Sequence, residues 1–450
     1  MIDLFLPIQR RAWFAAALLS ATGQISAMGL MQAHDAALQH DPVYLSAMAE
    51  NRAGQQYKAI GRAGLLPRLE YSHASSKNQA TLTTPGSAGL PVTSHPDYTS
   101  MSNSISLRQT LFNLDTVARY RQGIAQTHFS DAQFTGRSQD LMIRLVTAYT
   151  EASYAQDQLQ LLVAQRDAFA EQKRANQRMF QHGEGSKTEV LETEAKLDVA
   201  QAQLIEAEDN LITARDTLAA MTGQDAAQLD GLVDDFKVQP LALAVFENWQ
   251  EIAGKNNADI AAARFALDVA EQEINKSLAG HAPRIDLNAT YSRSNSETLT
   301  TYQQDSTVRS IGVQLVVPLF SGGHVTAVAR QSVANRDKAR FDLEATTSLV
   351  MIELRKQFNA ARSSIAKMDA LQKSVGSATL LVQATRQSVK GGVRINLDVL
   401  NAQQQLVAAK RDLAQARYNY LVGLLKLRVA AGILGGDDLR AVAAYFSAGH

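Results

Sequence analysis

The second half of this chain repeats the first, and that constrains its fold more than any local motif does. Leu66-Pro67-Arg68-Leu69 returns as Ala282-Pro283-Arg284-Ile285, and Leu111-Phe112 returns as Leu319-Phe320. Gly183 to Leu191 (GEGSKTEVL) aligns with Gly392 to Leu400 (GVRINLDVL), and Met221-Thr222-Gly223 with Ala430-Ala431-Gly432. The offset falls from about 216 to about 208 residues, then holds near 209, so one insertion between residues 67 and 112 explains most of the difference. A repeat of this length implies one body built from two similar halves. The halves span 28–223 and 247–434, with a connecting segment at 224–246 and a tail at 435–450.

The 44 basic and 44 acidic residues cancel, which gives no global support for nucleic-acid binding. The chain has no cysteine, hence no disulfide, thiolate metal site or cysteine nucleophile. Arg10 and Arg11 precede the apolar run Ala12 to Ala21, and Ile25-Ser26-Ala27 offers small residues for cleavage. Residues 1–27 therefore read as a signal peptide. No later stretch reaches the roughly 20 apolar residues of a spanning helix.

Proline is absent between 97 and 239 and after 318. Interior proline costs a helix roughly 3 kcal/mol, so its absence permits very long helices. Leu197, Leu204, Leu211 and Leu218 recur every seven residues, with Ala200, Ala207, Ala214 and Met221 between them. The second repeat has Leu406, Leu413, Tyr420 and Leu427 with Ala409, Ala416, Gly423 and Ala430. Alternating large and small residues on a heptad seam bring neighbouring helices close together. The spacing predicts helices over 116–181 and 187–221, repeated over 324–389 and 395–430. Shorter helices are expected over 35–64 and 247–279. One long helix, roughly 100 Å at 1.5 Å per residue, matches the summed length of two shorter ones. The expected body is an elongated array of antiparallel helices.

Alternating sequence interrupts each helical set. Ile285, Leu287, Ala289 and Tyr291 alternate with Asp286, Asn288, Thr290 and Ser292. A second strand starts at Ile311 and runs to Leu319, and the first repeat matches with Leu69, Tyr71, Ile105, Leu107 and Leu111. Hairpins at 68–111 and 284–319 follow, with residues 77–100 as the loop at the first tip. Such strands fit a membrane barrel, and locally they fit a soluble half-buried hairpin equally well. A barrel in lipid has to close and starts at about eight strands, so four strands per chain require several copies.

The arrangement resembles the TolC-type outer-membrane efflux and secretion proteins, over about residues 31–434. Gly392, Arg394, Asp398, Val399 and Leu400 sit as in that family's second-repeat motif, and Ala416 to Leu421 (ARYNYL) and Leu319 to Gly323 (LFSGG) are also typical. The resemblance implies a mainly α fold with β. Duplicated long antiparallel helices form an α-barrel, and the four strands contribute to a trimeric 12-stranded outer-membrane β-barrel. It implies a homotrimer embedded in outer-membrane lipid and acting as a passive exit duct. The partners would be a periplasmic adaptor (membrane fusion) protein and an inner-membrane ABC or proton-driven transporter, for type I protein secretion or drug efflux. Residues 224–246 and 435–450 would form a belt around the tunnel. The missing N-terminal cysteine favours the unlipidated branch, which includes type I secretion ducts. The alternative reading is a periplasmic coiled-coil scaffold without a pore.

The turns Gly183-Glu184-Gly185-Ser186 and Gly391-Gly392-Val393 lie at the helix ends far from the strands, and the resemblance makes them the adaptor-contact tips. It also places Asp398 at a periplasmic entrance, where threefold symmetry would turn one carboxylate into a ring that attracts cations. The family's pattern can carry a second acid three positions on. Asn401 stands there, which leaves open whether the entrance has one acidic ring or two. Arg394 matches a basic position that locks the closed state onto the neighbouring chain, with Thr188 and Glu189 as candidate partners. From the residues alone, Asp398 and Glu189 read instead as a solvated helix face or as helix-start carboxylates near a positive dipole end. No catalytic, cofactor or metal site is expected. The histidines are scattered, and Ser364-Ile365-Ala366-Lys367, a serine–lysine spacing, falls mid-helix without companion motifs.

Overall fold

A computed structural model describes residues 27–86, 89–233, 235–239, 244–296 and 304–447. The expected signal peptide lies almost wholly outside them. The chain opens with three helices: α1 (Leu30–His40), α2 (Pro42–Gly54) and α3 (Gln56–Ala63). Strands β1 (Arg68–Gln79), β2 (Leu82–Pro85), β3 (Pro91–Ser94) and β4 (Asp97–Phe112) follow, then α4 (Leu114–Gln181), α5 (Lys187–Thr222) and β5 (Gly231–Leu232). The second repeat runs through α6 (Phe246–Asn256), α7 (Ala258–Leu278), β6 (Arg284–Ser296), β7 (Gln304–Val316), α8 (His324–Lys390) and α9 (Asn396–Ala430). Helix α10 (Gly436–Ala443) and β8 (Phe446–Ser447) end it.

The long helices keep the expected proportions. α4 and α8 have 68 and 67 residues, and α5 and α9 have 36 and 35. α5 packs along α4 and α9 along α8, while α2, α3 and α7 flank α4 at its strand end. The seam residues Leu141, Ala148, Ala155, Leu162, Phe169 and Asn176 recur every seven positions along α4, and all six are buried. Leu197, Ala200, Leu204, Ala207, Leu211 and Leu218 are buried opposite them on α5.

Both shorter helices are broken where the sequence reading had each as one piece. Asp41 caps α2 by accepting from the Val43 amide at 3.0 Å, and Pro42 cannot donate back into α1. Asn257 breaks the second repeat at the matching place, its side chain accepting from the Asp259 and Ile260 amides at 3.0 and 3.1 Å. The Asp41 carboxylate also receives Arg144 of α4 at 2.5 Å, which pins the break to the long helix.

Four strands form one antiparallel sheet in the order β1-β4-β6-β7. The register puts Leu69, Leu107, Ala289 and Ile311 in one row and Tyr71, Ile105, Tyr291 and Arg309 in the next. The opposite face carries Ser72, Ser104, Ser106, Arg108, Asp286 and Ser292. There Arg108 donates to Asp286 at 2.6 Å, and the Ser72 and Ser104 hydroxyls are 2.8 Å apart. The apolar face is open, with Leu69 70% and Ile311 77% exposed. The β7 ladder stops at Val316, short of the expected Leu319, because Pro318 has no N–H to continue it. Residues 77–100 are not a plain loop. β1 runs on to Gln79, and the β-branched residues of Leu82–Pro85 and Pro91–Ser94 build a second short hairpin. The expected tip of the second hairpin, near 297–303, lies outside the described residues.

The segments flanking the repeats meet near the middle of α4. The buried Tyr149 hydroxyl donates to the Met28 carbonyl at 2.8 Å and accepts from the Asp230 amide at 3.1 Å. β5 pairs with β8, and Tyr420 of α9 donates to the Gln239 carbonyl at 2.8 Å. Burial raises the Tyr149 and Tyr418 hydroxyls well above the ordinary phenol range. Both therefore stay protonated and act as donors.

Tyr418 donates to Asp157 at 2.7 Å. Burial raises the Asp157 pKa, against the lowering effect of that hydrogen bond. Its folded pKa thus lies above its unfolded one. Its contribution to stability is full below the ordinary carboxylate pKa and is lost as pH rises through the raised value. Asp157→Asn keeps an acceptor for Tyr418 and removes the buried charge, so it should melt at or above wild type at pH 7, with the advantage shrinking at pH 4. Asp157→Ala leaves the hydroxyl unpaired and should cost about 1–3 kcal/mol. Thermal melts at both pH values check this; equal losses for Asn and Ala at pH 7 would contradict it.

Candidate functional site

The two interhelical turns share one bonding pattern. Gly183 donates to the Phe180 carbonyl at 3.1 Å and Glu184 to Met179 at 2.9 Å. In the second repeat Gly392 donates to Val389 at 3.0 Å and Val393 to Ser388 at 2.9 Å. Gly183 and Gly392 both have positive φ, 78° and 71°, the conformation that ends a helix with an immediate reversal. Glu184, Ser186, Lys187, Gly391 and Val393 are exposed, and Gly185 is half-buried, so the tips are open to solvent.

The repeats then diverge. Ser186 accepts from the Glu189 amide at 3.2 Å, and the Glu189 carboxylate accepts from the Ser186 amide at 3.2 Å, a reciprocal capping box. At the same place in the second repeat stands Ile395, which has no side-chain oxygen to offer. Asp398, three residues on as Glu189 is from Ser186, therefore has no capping box to enter. Its half-buried carboxylate has no hydrogen-bond or ion-pair partner among the described residues. Both acids lie in the first turn of their helices, but only Glu189 closes a capping box there, and the Asp398 carboxylate is bonded to no described group.

Arg394 and Thr188 are exposed, and Arg394 forms no ion pair with Glu189 or any other described residue of its own chain. Asn401 is engaged instead: Lys196 of α5 donates to its Oδ1 at 3.0 Å and to Gln404 Oε1 at 2.8 Å. That ammonium ties the first repeat's helix to the second's. A deeper polar cluster does the same. Asn176, 3% exposed, donates to Thr193 at 2.8 Å and accepts from Gln172 at 2.9 Å and from Asn396 of α9 at 3.3 Å.

Lys196, Asn176, Thr193 and Asn396 had no place in the sequence reading. Asn176 could have been noticed, because it is a polar residue on the heptad seam one step after Leu162 and Phe169. Its partners on α5 and α9 depend on tertiary contact. Ser364 donates to the Ala361 carbonyl at 2.7 Å, as a mid-helix serine ordinarily does. No group of three metal-ligating side chains occurs among the described residues.

A sheet with one apolar open face, continued into paired helices of roughly 100 Å that end in exposed turns, defines a wall segment of a membrane-anchored duct. The outer membrane efflux protein model matches residues 33–224 and 249–433, and the chain belongs to that family. It is 40% identical over 438 residues to the alkaline protease secretion protein AprF of Pseudomonas aeruginosa, covering 97% of this chain and 91% of the relative. It is 39% identical over 450 residues to the proteases secretion protein PrtF of Dickeya chrysanthemi, covering 98% and 96%. The Campylobacter jejuni CmeC outer membrane channel shares the fold, with a TM-score of 0.78 at 16% identity over 99% of this chain and 98% of that one. The chain is accordingly an outer-membrane exit duct with a large periplasmic helical part.

Proposed function

We propose that the chain forms a homotrimeric duct for type I secretion of a protein cargo, with an exported protease the first cargo to test. A periplasmic adaptor meets the tips at Gly183–Ser186 and Gly391–Val393, and an inner-membrane ATP-driven transporter delivers the cargo. Asp398 lines the entrance and Arg394 holds it closed against the neighbouring chain. The observation that carries this reading is near-complete coverage, at 40% and 39% identity, by relatives named for protease secretion. The sheet supports assembly. β1 and β7 each have one unpaired edge, and three copies give twelve strands, enough to close a barrel in lipid. The exposed apolar face opposes the alternative of a pore-free periplasmic scaffold.

Disrupting the gene in its host should abolish protease export to the medium without lowering its synthesis, and re-expression should restore export. The purified protein should require detergent and show the mass of three chains after crosslinking. Undiminished export after disruption would refute the secretion role, and a monodisperse monomer released by alkali without detergent would refute the duct.

A further inference from the structure

The apolar face of the sheet has an ordered outer margin. Above the row holding Tyr71 and Tyr291, the register aligns His73, Asn103, Arg293 and Thr307 across all four strands. Arg309 sits opposite Tyr291 with its guanidinium 5.6 Å from that ring centre, diagonal to Arg293. Both arginines are exposed and have no ion-pair partner among the described residues. Tyr71 donates to Asn103 at 3.0 Å, and His73 shares the same Asn103 oxygen at 2.7 Å, so the intervening side chains are held in place. Asp305 lies one row farther out and is bonded to Asn295 at 2.9 Å. Asp97 and Lys77 lie near the far end of the β1–β4 ladder and offset each other in charge.

An aliphatic row, then a row of two tyrosines with Arg309 beside one of them, then a polar row holding Arg293, is the order expected where a barrel leaves hydrocarbon for headgroups. The row lies on the side away from the periplasmic helices, close to the ends of β6 and β7 while β1 and β4 run on beyond it, and so on the outer-leaflet side of the sheet. A basic side chain facing lipid is costly in the hydrocarbon layer and favourable only beside an anion. Guanidinium groups bind phosphate oxygens through paired donors in a fixed fork. We propose that Arg293 and Arg309 form a binding site for the phosphorylated sugar headgroup of the outer-leaflet glycolipid, lipopolysaccharide, with Tyr291 beneath them against the first acyl carbons. The site rests on the barrel reading above. Closure would bring β7 of one chain, carrying Arg309, beside β1 of the next.

The test uses the purified trimer in nonionic detergent, with bisphosphorylated and fully dephosphorylated lipid A as probes and binding read by native mass spectrometry. Wild type should retain the bisphosphorylated lipid and bind the dephosphorylated one at least about tenfold more weakly, as expected for losing one charge-assisted contact. Arg293→Gln with Arg309→Gln should lose at least about tenfold in affinity for the bisphosphorylated lipid. Thr307→Arg, adding a cation in the same row, should gain affinity. Equal binding of the two lipids by wild type overturns the proposal, as does unchanged binding by the double variant while it remains trimeric. A protein that is monomeric without detergent overturns the barrel reading instead.

Discussion

Gly123→Leu is expected to prevent α3 from docking on α4 and to lower stability by about 1–3 kcal/mol or more, the range for overpacking a tight contact. A Cβ at Gly123 would overlap the Tyr57 carbonyl oxygen and lie 3.0 Å from its carbon. The contact is reciprocal, since a Cβ at Gly61 would sit 2.6 Å from the Arg119 carbonyl oxygen and 2.9 Å from the Tyr120 Cα. Each helix thus presents a glycine to the other's backbone, which cannot step aside as a side chain can. The sign is informative even for alanine. Gly→Ala inside a helix ordinarily stabilises by about 1 kcal/mol, so a loss in Gly123→Ala would show that the clash outweighs propensity. The crossing joins the sheet to the long helices, so less Gly123→Leu trimer should reach the membrane. Wild-type melting temperature and membrane yield for this variant would count against the close crossing.

The second large effect concerns conduction. Asp398→Ala should lower the cation-to-anion permeability ratio of the trimer about tenfold or more. A unit charge at about 4 Å in an effective dielectric near 20 is worth about 4 kcal/mol, and the substitution removes three such charges from one constriction. Arg394→Ala should leave selectivity largely intact and raise basal conductance, because a guanidinium bridging neighbouring chains holds the closed state. A third variant follows from the difference between the repeats. Ile395→Ser supplies the missing cap oxygen and should draw Asp398 into a capping box like that of Ser186 and Glu189, weakening cation preference with the acid still present. Single-channel recording in planar bilayers separates the three. If Asp398→Ala and Ile395→Ser keep wild-type selectivity and Arg394→Ala keeps wild-type conductance, these residues do not form the entrance.

Much of the architecture is legible in the sequence, because periodic patterning acts locally. A seam residue every seven positions and an absence of proline define long helices whatever surrounds them, and alternation with period two defines strands that cannot close alone. The caps at Asp41 and Asn257 are local signals as well, and they break the helices expected over 35–64 and 247–279. The tip turns were legible from glycine, since positive φ at Gly183 and Gly392 is a local demand.

What the sequence could not disclose is everything that depends on which helices become neighbours. The capping of Glu189 is a local matter, since Ser186 supplies a cap oxygen and Ile395 before Asp398 has none, but what Asp398 faces is not. The hold of Lys196 on Asn401 and Gln404, and the buried Asn176 cluster, join residues about 200 positions apart. The row above the tyrosines likewise exists only in register, because Arg293 lines up with Asn103 and His73 only when β6 pairs with β4 across the long helices that separate them. Local periodicity determined the parts of this duct and their lengths, whereas the alignment of distant segments decided which charges stand free at its two ends.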